Sequence, residues 1–288
     1  MTVKILADSA CDLPVTFFEE NKNIATLIPL NVHLDDEQYE DLLTITPKTV
    51  FDAMRAGKSP KTSQVTPNKF EEVFKKLAEE KSEAIYIAFS SELSGTYQTG
   101  YMMAQQVKEQ YPEFDITIYD TKCASIGYGL IVKNAVEMAK NGKTKSEIEE
   151  YVQFASNHME HLFTVDDLVY LQRGGRISKA SAFVGGLLNI KPLLNVEDGK
   201  LVPLEKIRGK KKLYKRIIEL MKERGDQLDK QEIGISHGDD EEAALYIKEE
   251  IEKEFGTKKF YINTIGAAIG SHSGPGTLAI FFLNKYKE

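Results

Sequence analysis

Between residues 3 and 140, short apolar runs alternate with longer stretches of helical periodicity, and this restricts the fold more than any other feature of the chain. Residues 3–7, 84–89 and 116–119 are brief and nearly free of charge, as buried strands are. Residues 24–34 carry enough Ile, Leu and Val for one or two more. Phe70, Val73, Phe74 and Leu77 fall at i, i+3, i+4 and i+7, one face of a helix that Thr66 caps and Pro67 opens. A second helix carries Tyr97, Tyr101, Ala104 and Val107, and a third spans 126–140 and stops at Asn141-Gly142. Asp12, ahead of Pro14, is a fair cap for a helix after the first strand. This alternation predicts a mostly parallel sheet flanked by helices. Ligands of such sheets bind beyond the carboxyl ends of the strands. The loops of Ser9, Ser63 and Ser94 are expected at that edge.

The remainder has a different pattern. A helix over 146–159 links the halves, a short strand covers 162–165, and a helix from Asp167 stops at Gly174-Gly175. Residues 177–188 are predicted as a largely apolar helix. The runs 190–196 and 201–207 flank Glu197-Asp198-Gly199-Lys200, a hairpin signal. An amphipathic helix over 210–224 precedes strand, helix and strand at 232–236, 239–255 and 258–263. The expected organisation is α/β in two domains: a parallel α/β domain over 1–155 and a mixed α/β domain with an antiparallel hairpin over 156–288.

A chain of 288 residues with 42% apolar content is ample for a packed core. Its net charge of −7 argues against a general nucleic-acid binder. Cys11 and Cys123 have neither metal spacing nor a disulfide framework and read as small packed thiols. Asp35-Asp36-Glu37 reads as a solvated turn, and no metal site is expected. Residues 1–7 are too short for a signal peptide, and no window approaches the ~20 apolar residues of a membrane span. The expected location is the cytoplasm.

The stretch 269–283 holds His272 among small residues and then runs into an apolar strand. It is either a plain turn with a solvated histidine or a loop built to present an imidazole and backbone amides. Ser94-Gly95-Thr96 and Thr62-Ser63 each precede a helix, where unpaired amides favour an anion; each hydroxyl can equally be a simple cap. No Gly-x-x-x-x-Gly-Lys-Ser/Thr, no Gly-x-Gly-x-x-Gly after the first strand and no Gly-x-Ser-x-Gly occurs. Hydroxyls with one histidine suit a carboxylate better than a nucleotide polyphosphate, which asks for Lys, Arg or a metal. The basic residues Arg173, Arg176, Arg208, Lys210 and Lys211 lie elsewhere in the sequence, as a solvated helix start or a phosphate contact. The run 183–188 is more apolar than a surface helix needs, which fits either core or the wall of an apolar ligand site.

Five ordered motifs resemble the DegV family over nearly the whole chain: Asp8-Ser9-Ala10-Cys11-Asp12-Leu13, Thr62-Ser63-Gln64-Val65-Thr66-Pro67, Ser91-Glu92-Leu93-Ser94-Gly95-Thr96, Leu171-Gln172-Arg173-Gly174-Gly175-Arg176-Ile177 and Gly270-Ser271-His272-Ser273-Gly274-Pro275-Gly276. Cys11 departs from the small hydroxyl residue or alanine more usual there. The resemblance implies a bacterial fatty-acid-binding protein, the acyl-carrying subunit of a fatty acid kinase. It implies a long-chain fatty acid as ligand and no cofactor. The carboxylate would lie between domains on Thr62, Ser94 and His272, and the tail in the second domain. Candidates for the tail are Phe163, Ile177, Phe183, Val184, Leu187 and Ile190. The five basic residues would dock an ATP-dependent kinase subunit, with any membrane contact transient. No residue is expected to be catalytic. The competing class is an enzyme in its own right, a small-molecule phosphotransferase or acyl hydrolase.

Overall fold

The structure, a computed structural model, describes residues 2–177 and 190–287. Four parallel strands form the first sheet in the order Ala25–Ile28, Lys4–Asp8, Ala84–Ala88, Ile116–Asp120. Ala84–Ala88 is buried along its whole length, as a strand covered on both faces must be. Phe70, Phe74 and Leu77 of helix Pro67–Glu79 are buried, and Thr66 caps that helix by accepting from the Lys69 amide. The apolar region 24–34 makes two strands because Pro29, which has no N–H, interrupts it. Its second part, Asn31–Leu34, is the centre of a small antiparallel sheet with Glu37–Glu40 and Lys61–Ser63.

The second large sheet takes all six strands from residues after 158, in the order Lys200–Arg208, Ile190–Glu197, Met159–Thr164, Leu278–Leu283, Glu232–His237, Lys259–Thr264. Only its last pair is parallel. Leu278–Leu283 shows how one strand serves two cores. Its period of two sends Ala279 and Phe281 toward the core shared with the first half. Leu278, Ile280 and Phe282 instead join a separate cluster with the helices Lys210–Arg224 and Glu241–Phe255. The expected helix over 177–188 falls largely outside the described residues.

Two local expectations change. Asp12 caps no helix: its backbone is left-handed at φ 54°, and the helix starts only at Val15. His272 lies on a short helix, Ala267–Ser273, and not in a loop. The small residues that suggested a loop serve instead to let this helix pack closely.

Helix Ile126–Lys140 lies against the first strand. A Cβ added at Gly129 would stand 2.3 Å from the carbonyl oxygen of Cys11. Glycine to alanine ordinarily favours a helix by about 1 kcal/mol. Here the methyl meets backbone that cannot rotate away. Gly129→Ala is therefore expected to destabilise the fold by about 2 kcal/mol, seen as a lower urea midpoint.

Candidate functional site

A cavity of about 830 Å³, mouth included, lies where the two large sheets face one another. Ala10, Phe89 and Ala124 line it from just beyond the carboxyl ends of three parallel strands, the position expected for such a sheet. Phe163, Val196, Leu201 and Phe281 supply the opposite wall from the six-stranded sheet. Ala268 and Ile269 contribute from the short helix. The wall is thus drawn from both halves of the chain and not from the second alone.

Thr62, Ser94 and His272 all line this one cavity. Thr62 is brought in by strand Lys61–Ser63, whose pairing sets it opposite Val32. Its Oγ1 lies 2.6 Å from His272 Nε2. Ser94 Oγ sits 2.9 Å from Thr96 Oγ1 and accepts from the Thr96 amide at 3.2 Å, so Ser94 stands just ahead of helix Thr96–Gln110. The imidazole can approach only because residue 174 is glycine: a Cβ there would meet His272 Nδ1 at 2.1 Å. Gly175 has φ +69° with nothing near its missing side chain, so it serves the turn alone. Burial, reinforced by the Arg176 guanidinium, lowers the His272 pKa to about 4, and the ring is neutral at neutral pH.

Arg176 was grouped by the sequence with docking residues, but it lines the cavity beside His272. Its Nε donates to the Leu93 carbonyl at 3.1 Å and Nη1 to that of Gly174. It reaches no carboxylate among the described residues. A neutral imidazole, two hydroxyls and a half-buried guanidinium without a counter-charge suit a monoanion. His161, a second cavity residue, is fully engaged: its Nδ1 lies 3.2 Å from the Met159 carbonyl, and Nε2 accepts from the Ala124 amide at 3.2 Å. Burial lowers its pKa to about 4 as well, and it has no polar capacity left for a ligand.

Of the tail candidates, Phe163 lines the cavity; Ile177 is core, and Ile190 opens a strand, neither being a described lining residue. Phe183, Val184 and Leu187 lie outside the described residues. The five basic residues fall into two groups. Arg173 and Arg176 line a depression that shares Thr62 and His272 with the cavity. Arg208, Lys210 and Lys211 cluster where helix Lys210–Arg224 begins, with Lys210 3.4 Å from Asp240. The first-half wall was missed because strand-end loops give no hint of which side chains turn inward. No cluster of three or more His, Cys, Asp or Glu suited to a metal occurs among the described residues, and no described helix is long and apolar enough to cross a membrane.

These features define an α/β protein organised around an apolar cavity into which hydroxyls, a neutral imidazole and a guanidinium are set. The model of the DegV family, described as uncharacterised proteins, matches residues 2–285. A DegV domain-containing protein of Clostridium perfringens is 40% identical over 99% of this chain and 98% of its own. A solved DegV family protein from Thermus thermophilus, described for its fatty acid binding, superposes with a TM-score of 0.89 at 30% identity over 98% of this chain and 99% of its own. DegV from Bacillus subtilis, described as a fatty acid binding protein, gives 0.85 at 30% identity over 98% of each chain. The chain belongs to the DegV family.

A carboxylate beside His272 would favour the charged imidazole. In ligand-free protein the His272 ring should stay neutral until the pH falls to about 4. With a bound carboxylate its midpoint should move upward, so that binding takes up protons between the two midpoints. Nitrogen chemical shifts of the ring through a pH titration, with and without palmitate, check this; an unmoved midpoint would place the carboxylate elsewhere.

Proposed function

We propose that this protein binds a long-chain fatty acid and presents its carboxylate to a separate ATP-dependent kinase subunit. The observation that carries the reading is that Thr62, Ser94 and His272, remote in sequence, all line one apolar cavity, with Thr62 Oγ1 2.6 Å from His272 Nε2. The fatty-acid binding described for structural relatives supports it. We take 1–155 as the domain that supplies Thr62 and Ser94, and 156–288 as the domain that supplies His272 and most of the tail wall. Burial at ~0.8 kcal/mol per methylene makes the tail the main source of affinity. The head-group residues set orientation.

In the reaction, one carboxylate oxygen attacks the γ-phosphorus of ATP held by the partner. A new P–O bond forms, the bond to the β,γ-bridging oxygen breaks, and ADP leaves with that electron pair. The product is an acyl phosphate. No group of this chain acts as a base, since the carboxylate is already ionised. A stand-alone phosphotransferase is less well supported because the sequence contains no Gly-x-x-x-x-Gly-Lys-Ser/Thr loop. Arg208, Lys210 and Lys211 form a basic surface suited to an acidic face of the kinase subunit. The setting is cytoplasmic, with transient contact to a membrane surface where the acid is collected.

Organic extraction of the purified protein followed by mass spectrometry should find a stoichiometric fatty acid; an empty extract together with no binding of added palmitate or oleate would overturn the reading. His272→Ala and Ser94→Ala should retain most lipid but lower acyl-phosphate formation with the kinase about tenfold or more, because a charge-assisted contact of about 1.5–3 kcal/mol is lost from the head group. Equal losses of lipid and turnover would instead mean that these residues serve affinity. Arg208→Glu with Lys211→Glu should slow turnover in a salt-sensitive way with fatty-acid binding intact.

A further inference from the structure

Thr96 opens helix Thr96–Gln110 and is fully buried, behind the cavity wall and not in it. Its Oγ1 has two contacts among the described residues. It accepts from the Val65 amide at 3.3 Å, and it lies 2.9 Å from Ser94 Oγ. A hydroxyl has one proton and two lone pairs, so the direction of the second contact follows. If Ser94 were the donor, Thr96 Oγ1 would accept twice and its own proton would be buried without an acceptor, which is unfavourable. Thr96 is therefore the donor. Ser94 Oγ also accepts from the Thr96 amide at 3.2 Å. Both Ser94 lone pairs are then in use, and its proton has no acceptor among the described residues. Ser94, unlike Thr96, is only half-buried and lines the cavity. The Val65 amide at the start of this chain belongs to the segment that follows strand Lys61–Ser63, the strand of Thr62. The two segments are braced beside it: Gln64 Nε2 donates to Thr99 Oγ1 at 2.6 Å, and a Cβ at Gly95 would stand 2.1 Å from Gln64 Oε1.

We infer that Thr96 is a positioning residue: by donating to Ser94 Oγ it leaves the Ser94 proton as the one group that Ser94 can offer a ligand, and aims that proton into the cavity. The inference rests on the fatty-acid reading above and deepens it. A free serine hydroxyl rotates among staggered directions and would often point its proton away from a head group. Here two donors fix the oxygen's lone pairs before any ligand arrives. The order then runs Val65 N–H, Thr96 O–H, Ser94 O–H, carboxylate, with every donor pointing the same way and each bond polarising the next. Ser94 set in this way can donate to an ionised carboxylate but has no lone pair for the proton of a neutral acid. A neutral hydroxyl is thereby made selective for the charged form of its ligand. The same arrangement gives the second hydroxyl of Ser94-Gly95-Thr96 a task that capping a helix does not require.

The test uses the full chain loaded with palmitate carrying carbon-13 at its carboxyl carbon, whose chemical shift is followed through a pH titration of the bound ligand. Ser94→Ala removes the donor and should lower the acid ionisation constant of bound palmitate about tenfold or more. Thr96→Val keeps the shape of the side chain without its hydroxyl and should lower that constant about threefold or more. Thr96→Ser keeps the hydroxyl and should stay within about twofold of the wild type. In Ser94→Ala protein, Thr96→Val should change the constant less than about twofold, because the group it acts through is gone. A merely structural threonine would give equal changes in both backgrounds, and that result overturns the inference. So does a Thr96→Val titration identical to the wild type, or a Thr96→Ser variant as impaired as Thr96→Val. Thr96→Val leaves the Val65 amide without its acceptor; should that variant not fold, neutron diffraction from deuterated wild-type crystals with palmitate decides. A deuteron on Thr96 Oγ1 directed at Ser94 Oγ, with that of Ser94 directed at the ligand, supports the inference, and the reverse polarity overturns it. In each of the overturning results palmitate is still bound and the fatty-acid reading stands. If the wild type binds no palmitate, that reading is lost and the inference with it.

Discussion

Asp12 leaves the first strand in left-handed backbone and turns a fully buried carboxylate toward the other half of the molecule, where Oδ1 accepts from the Gly266 amide at 2.9 Å. Oδ2 accepts from the Ser125 hydroxyl at the start of helix Ile126–Lys140. Ser125 Oγ in turn lies 2.9 Å from Ser236 Oγ, and Asn263 donates to the Asp12 carbonyl at 2.6 Å. One residue therefore ties the first sheet to three elements of the second half. Burial pushes its carboxyl well above the usual range, opposed by these donors. Removing one partner of these buried hydrogen bonds leaves the other group desolvated and unsatisfied, at a cost of about 1–3 kcal/mol. Ser125 sits at φ 55°, ψ −148°, near backbone space normally left to glycine, and its two hydroxyl contacts hold it there.

The short helix Ala267–Ser273 begins at Gly266, so the Asp12 contact fixes where that helix starts and hence where His272 ends up one and a half turns later. Asp41 adds to the same anchor. Its oxygens make no well-formed hydrogen bond among the described residues, yet the Ser9 hydroxyl and the amides of Leu42, Ala267 and Ala268 lie close enough to oppose the burial that raises its pKa to about 6. Asp8 completes the cluster under different terms: Tyr86 and Tyr128 hydroxyls donate at 2.8 and 2.5 Å, and the Phe89 amide at 3.0 Å. These carboxylates are scaffold. They sit behind the site and set the position of the helix that reaches into it.

The alternating pattern of the first half was readable because burial on both faces of a parallel sheet forces continuous apolar runs. Thr62, Ser94 and His272 could be named together only through the ordered motifs, since nothing in the sequence spacing of Thr62 and His272, 210 residues apart, signals their 2.6 Å contact. Arg176 was sorted with surface cations because a run of Arg and Gly reads as solvated; in the fold its guanidinium turns to the carbonyls of Leu93 and Gly174 and lines the cavity. Asp12 and Asp41 were similarly illegible. A polar residue in a turn is ordinarily exposed, and among the donors that make this burial tolerable are amides of Gly266, Ala267 and Ala268, over two hundred residues away. The first-half part of the cavity wall was illegible because Ala10 and Phe89 look like ordinary strand ends.

The neutral state of His272 bears on how a carboxylate could react while bound. A full ion pair on both oxygens would hold the head group firmly but would draw electron density from the atom that must attack phosphorus. On the proposed function, neutral donors from Thr62, Ser94 and His272 fix one oxygen by hydrogen bonds and leave the other exposed at the boundary that Thr62 and His272 share with the outer depression. On the same proposal Arg176 supplies the compensating charge from the side; it is tethered to the carbonyls of Leu93 and Gly174 and would give up those contacts to swing fully onto a ligand. The affinity surrendered at the head is recovered along the tail, where each buried methylene contributes ~0.8 kcal/mol without constraining the reacting atoms. On the proposed function, that division lets one end of the ligand be held strongly and the other remain a nucleophile.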